Sequence, residues 1–373
     1  MNAAKCDELD YIHFLIAAQR VFSCSEAARC QPESAAAPCH DAFTRLLTRQ
    51  PPDTEALWQE AQKMVPEKAR KSGLLVLDDT TLDKPYARKM ELVTRHWSGK
   101  HKRVVAGINL LTMLWTDSSS NSSSNSSSNS SNSSSSNSNS SSNSSSNSSS
   151  NSSSNSSNPL VPCDFRLYDA PRDGLTKNDH FQAMLQVAKK RGFAPRYVLF
   201  DSWYSGLDNL KLVRALEWRF LTRLKSNRLV NPDKSGLVAV RELSVPEAGQ
   251  IVHVQGFGLV RVFQTVAPNG DVEHWATNDL GLEPVLRAEL EKAAWGIESY
   301  HRGLKQCCGA ERSQARSARV QRNHLRLCLQ ACLRLEAHRL QTGCSWYEAK
   351  TAIIRNAVRD YLAHPIYLLP STA

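Results

Sequence analysis

The stretch GLLVLDDTT, Gly73 to Thr81, decides the fold. Leu74-Leu75-Val76-Leu77 is a short unbroken apolar run, as expected of a strand covered on both faces, and it stops at the acidic pair Asp78-Asp79. The same design recurs more than a hundred residues on, in YVLFDSWYS, where a strand over Arg196 to Phe200 stops at Asp201. Around that second run the spacing predicts a helix over Asn178 to Arg191, a helix over Leu207 to Trp218 and a strand over Phe220 to Lys225. Strands alternating with helices predict an α/β core. Acids at the carboxyl ends of its strands would stand where such sheets bind ligands. A later helix supplies a third acid, Glu298.

Working outward, residues 7–64 carry helical periodicity, in Tyr11, Phe14, Leu15 and Val21 and again in Phe43, Leu46 and Leu47. Ser25 to Arg29 starts like a capped helix after a break, as in a helix-turn-helix, although a plain helical bundle fits as well. Val104 to Asp117 and Leu160 to Asp169 both read as strands, and residues 118–158 between them consist only of Ser and Asn. Such a tract cannot bury enough apolar surface to offset its ordering entropy, so disorder at the tip of a β-hairpin is expected. Between Ser226 and Asp279 the pattern is all strand, with turns at Pro232, Pro246 and Asn269-Gly270. Thereafter Leu286 to Gln306, Val320 to Leu340 and Trp346 to Leu362 read as helices. The expected division is a helical unit at 1–68, a first core segment at 69–225, a β-rich insertion at 226–280 and a helical completion of the core at 281–373.

Lys and Arg outnumber Asp and Glu 46 to 36, a formal charge of +10 that favours polyanionic partners. No apolar run is long enough to span a bilayer and the N-terminus lacks a secretory pattern, so a soluble, cytoplasmic, nucleoid-associated protein is expected, with no membrane partner. The ten cysteines form no CxxC pair and are read as free thiols. His324, Cys328 and Cys332 share a helical face, but they lie among leucines and are read as packing rather than as a metal site.

Crowded carboxylates attract hard divalent cations, and a pair of such ions can activate an attacking oxygen and steady a leaving one in phosphoryl transfer. With the basic net charge, this points to metal-dependent chemistry on nucleic acid. The segments LLVLDDTTLDKP, YVLFDSWYS and WGIESYHRGLKQCCGAERSQARS together resemble the DDE transposases of bacterial insertion sequences. In that family the first Asp precedes a Thr pair, which selects Asp79 over Asp78, and the Glu lies seven residues before a Lys, here Glu298 and Lys305. The resemblance implies a ribonuclease-H-like mixed sheet interrupted by a β insertion. It also implies Asp79, Asp201 and Glu298 as catalytic metal ligands for Mg2+ or Mn2+. Terminal inverted repeats and target DNA would be the partners, with a homodimer in the synaptic complex. Where many relatives carry Tyr and Arg upstream of the Glu, this chain has Glu291 and Ala294.

Neighbouring residues suit DNA. Lys305 is expected to grip a phosphate, Trp203 and Tyr204 to stack on a splayed base or pack in the core, and Arg312, Arg316 and Arg319 to meet the backbone. His301 reads as a satisfied surface residue, and His96, Lys100, His101, Lys102 and Arg103 form a basic turn. Two further readings are a non-transposing nuclease of the same fold and an inactive DNA-binding relic.

Overall fold

A computed structural model describes residues 4–34, 36–49, 51–98, 101–117, 158–234, 236–267 and 270–366. Almost all of the Ser/Asn tract, together with Lys100 and Asn269, lies outside the described residues. The fold is mixed α/β, built on a nine-stranded sheet.

Its centre is β1 (Leu74–Asp83), whose apolar half is buried and whose acidic half is partly open. β3 (Arg103–Thr116) runs antiparallel along one edge of β1, and β4 (Val161–Leu167) and the short β2 (Thr94–Ser98) both pair with β3. On the other edge, β5 (Tyr197–Phe200) and β6 (Phe220–Leu224) run parallel to β1, reached through the helices α7 (Lys177–Lys190) and α8 (Leu207–Ala215). Parallel neighbours need such crossovers. The short helix α6 (Ala170–Asp173) precedes α7.

The strand-rich stretch after residue 226 joins this same sheet. β11 (Val272–Thr277) pairs antiparallel with β6, and β10 (Gly258–Val266) and β9 (Gln250–Val254) continue the order outward. Only β7 (Leu229–Val230) and β8 (Val238–Ala239) form a separate small ladder among the described residues.

The C-terminal helices cover the face opposite α7. α9 (Pro284–Ala294) and α10 (Gly296–Cys307) replace the single helix expected over Leu286 to Gln306. The chain tightens where the Glu298 N–H bonds the Trp295 carbonyl three residues back, beside Gly296, and this divides the helix. α11 (Ala318–Thr342) is buried through its middle, from Asn323 to Leu333, and α12 (Trp346–Ala363) starts from a capping box made by Ser345 and Glu348.

Before the sheet come α1 (Glu8–Ala17), α2 (Cys24–Arg29), α3 (His40–Arg49), α4 (Glu55–Ala61) and α5 (Glu67–Arg70); α1, α3 and α4 pack on α11, and α2 packs on α3. Glu8 pairs with the buried Arg326 of α11, and the Asn323 amide donates to the Leu47 carbonyl at 2.8 Å. The Lys350 ammonium donates to the carbonyls of Ile16, Ala18 and Cys307, so α12 joins the ends of α1 and α10. All ten cysteines are free, and His324, Cys328 and Cys332 are buried as packing residues, His324 between the Tyr11 hydroxyl and the Gly309 carbonyl. No described helix is long and apolar enough to cross a membrane.

Candidate functional site

Strand register builds the site. Asp78 pairs with Thr112 of β3. The β1–β5 ladder ends at Leu77 opposite Phe200, so its next step sets Asp78 beside Asp201. The β5–β6 ladder pairs Phe200 with Thr222, which sets Arg223 beside Asp201, and Arg223 pairs with Trp275 of β11. Residues level across a sheet point to the same face. Thr112, Asp78, Asp201, Arg223 and Trp275 therefore form one row across five strands. α10 crosses above it, bringing His301 to within 3.4 Å of the Thr112 hydroxyl and Glu298 to the row's centre.

A cavity of about 50 Å³ is lined by Asp78, Asp201, Arg223, Trp275, Ala294 and Glu298, with apolar walls from Val76, Phe200 and Ile297. A wider groove of about 490 Å³ runs from there along α10, past Asp78, Asp79, Glu298, Arg302 and Lys305.

The structure brings Asp201 and Glu298 to this cavity together with Asp78, whereas Asp79 is turned to other partners. Side chains alternate along a strand, so Asp79 faces α7 on the opposite side of the sheet. There it accepts hydrogen bonds from Asn109 Nδ2 at 2.5 Å, Lys177 Nζ at 2.8 Å and the Tyr204 hydroxyl at 2.6 Å. Thr176 caps α7 through a capping box with Asp179, which fixes the turn that delivers Lys177.

The electrostatics of the acidic pair diverge accordingly. Burial pushes the Asp78 carboxyl well above the usual range, and the carboxylates of Asp79, Asp201 and Glu298 add to the rise. For Asp79 burial acts the same way, but Lys177, Asn109 and Tyr204 outweigh it and hold the group below its ordinary value. Glu298 is raised by burial and by Asp201, with Arg223 and Arg302 opposing. Asp201 accepts from the Ser202 N–H at 2.6 Å and pairs with Arg223 Nη2 at 2.9 Å.

Several expected contacts change character. Tyr204 is fully buried, stacked on Phe181 at 5.0 Å with its hydroxyl given to Asp79, so no base can reach it. Trp203 is 54% exposed, with the ammonium groups of Lys177 and Lys225 at 5.5 and 5.3 Å from its ring centre. Lys305 lines the groove but donates to the Thr81 carbonyl at 2.7 Å and lies 3.1 Å from Glu311. His301 is buried rather than on the surface, and desolvation pushes it down to about 3, so it is neutral. Arg312 and Arg316 are exposed, the latter in a cleft with Arg88 and Lys89, whereas Arg319 bonds the Thr48 carbonyl. In the basic turn Arg103 is exposed, but His96 is buried against Tyr168 and His101 pairs with Asp83.

Lys177, Asn109 and Arg223 escaped the sequence reading. Arg223 had a visible signal, a charge inside the apolar strand that follows the Asp201 strand.

Fold and site together define an α/β protein with a carboxylate row set into its sheet beneath a helix. Residues 175–334 match the family model of the transposase DDE domain, which bears out the resemblance to DDE transposases. The match contains Asp201, Arg223 and Glu298, while β1 lies upstream of it. No match is found among curated proteins. The transposase family acts on DNA and generally uses divalent metal ions.

Among the described residues no three His, Cys, Asp or Glu side chains converge closely enough to hold a metal ion as they stand. The donor set nevertheless suits a hard cation. Among the described residues the Glu298 carboxylate has no hydrogen-bond partner and the Asp78 carboxylate has only the Asp79 N–H, and the mutual repulsion of these acids is what a cation relieves. Asp79, with three donors, has little lone-pair capacity left.

Proposed function

We propose that this chain is an insertion-sequence transposase that cleaves DNA at the element's ends and joins the freed 3′-OH to target DNA. The observation that carries the reading is the row of Asp78 and Asp201 beneath Glu298, the last two of these within the segment matching the transposase DDE domain. The strand order β4-β3-β1-β5-β6, antiparallel then parallel, agrees with a ribonuclease-H-like core.

In this proposal Asp78, Asp201 and Glu298 hold the divalent ion, Mg2+ or Mn2+, and Asp79 is a positioning residue. The bound ion would polarise a phosphoryl oxygen and lower the pKa of the attacking hydroxyl or water. Asp79 fixes β1 against α7 through Lys177 and Tyr204, which holds Asp78 in its row. His301, neutral and buried, keeps α10 on Thr112 and thereby Glu298 over the cavity. Arg302 and Lys305 give the groove its positive side, and Trp203, Arg312 and Arg316 are exposed for DNA. The helices at 1–68 would bind the inverted repeats, and the C-terminal helices would support a synaptic dimer.

The test is a magnesium-dependent reaction on a duplex carrying the element's end. Wild-type protein should nick and join it, and Asp201→Ala should lose both while still binding the DNA. Cleavage by Asp201→Ala at the wild-type rate would refute the site.

A further inference from the structure

Arg223 is the one cationic side chain among the described residues that line the acidic cavity. Its guanidinium is shared between two carboxylates on neighbouring strands, Nη2 at 2.9 Å from Asp201 and Nη1 at 2.7 Å from Glu273, and it lies 5.8 Å from the centre of the Trp275 ring. We propose that Arg223 is a built-in counter-ion that competes with the divalent ion for Asp201 and stays tethered to Glu273 when the ion displaces it. This rests on the reading that the cavity takes such an ion.

The guanidinium occupies part of the coordination capacity of one proposed ligand, since Asp201 Oδ1 already accepts from both Ser202 and Arg223. An ion entering the cavity must therefore share or displace the guanidinium, and its apparent affinity is scaled down to the fraction of molecules in which Asp201 is free. Glu273 decides how large that fraction is. It lies on β11 two residues before Trp275, the residue paired with Arg223, and is not among the residues lining the cavity, so it offers the guanidinium an alternative partner that no metal contests. A planar fork gripping two acids at once suits this handover, because one grip persists while the other is released. Without the ion, Arg223 offsets the charge of Asp201 and Glu298, and the empty site is less repulsive.

The two ends of the pair give opposite signs. Removing the competitor should tighten metal binding, and removing its tether should weaken it. Mn2+ titrated into the full-length protein, with free ion read by electron paramagnetic resonance, measures this directly, and circular dichroism reports folding. Arg223→Gln should bind Mn2+ about tenfold more tightly than wild type, as befits loss of one largely buried cation. Glu273→Gln should bind it several-fold more weakly, and the double variant should behave like Arg223→Gln. Arg223→Gln that folds but binds Mn2+ equally or more weakly overturns the inference, since an arginine that merely braces Asp201 would give that result. If Arg223→Gln does not fold, Glu273→Gln decides, and unchanged or tighter binding there is the overturning outcome. If instead wild type binds no more Mn2+ than Asp201→Ala, the metal-site reading itself has failed.

Discussion

Asp78 and Asp79 share a strand and differ in what surrounds them, so the same substitution should act on them in opposite ways. Asp79 is the centre of a polar cluster, and Asp79→Asn leaves the Lys177 ammonium largely buried without its carboxylate. Breaking such a pair costs roughly 2 to 4 kcal/mol, visible as a lower urea midpoint. Asp78→Asn removes a charge crowded by three others and should leave the midpoint unchanged or raise it by up to about 1 kcal/mol. His301 gives a pH signature. Its folded value near 3 lies below the ordinary 6.5, so the folded protein binds fewer protons in that window. The associated stability is present above pH 6.5 and is lost as the pH falls towards 3. His301→Gln should therefore lose less melting temperature than wild type between pH 7 and pH 5, and an equal loss would place the acid sensitivity elsewhere.

At the scale of elements, the strand ends were legible in the sequence and the facing of the acids was not. Leu74 to Leu77 and Tyr197 to Phe200 announce themselves because a strand buried on both faces is apolar throughout. That same continuity erases the alternation which would have shown whether Asp78 or Asp79 shares a face with Asp201. Parity is fixed only by the β1–β5 register, a long-range property that no local pattern carries. The choice left open for Trp203 and Tyr204 has a related cause, since aromatic residues after a strand look alike whether they reach solvent, as Trp203 does, or turn inward, as Tyr204 does. The seating of α12 on α10 depends on Gly303, where an added Cβ would meet the Trp346 ring at 2.5 Å. Gly303→Ala should cost about 1 to 3 kcal/mol in thermal unfolding through overpacking, despite its better helix propensity.

For the whole molecule, one sheet unites the chain from β2 to β9, and the helices α1, α3 and α4 rest on α11. Trp115 pairs with Val161 on either side of the Ser/Asn tract, so the described strands already close the β3–β4 hairpin. Replacing residues 118–157 with a short turn should keep the fold and stabilise it by about 2 kcal/mol, from the loop-closure entropy alone. A destabilised product would mean that the tract contributes contacts. Magnesium-dependent nicking of an end-bearing duplex tests most directly whether the row beneath α10 performs metal-dependent DNA cleavage with Asp78 in it. Wild type should nick, Asp78→Asn should fall by at least about a thousandfold while folded and DNA-bound, and Asp79→Asn should retain measurable activity under stabilising conditions. Full activity in Asp78→Asn, with complete loss in a folded Asp79→Asn, would contradict it.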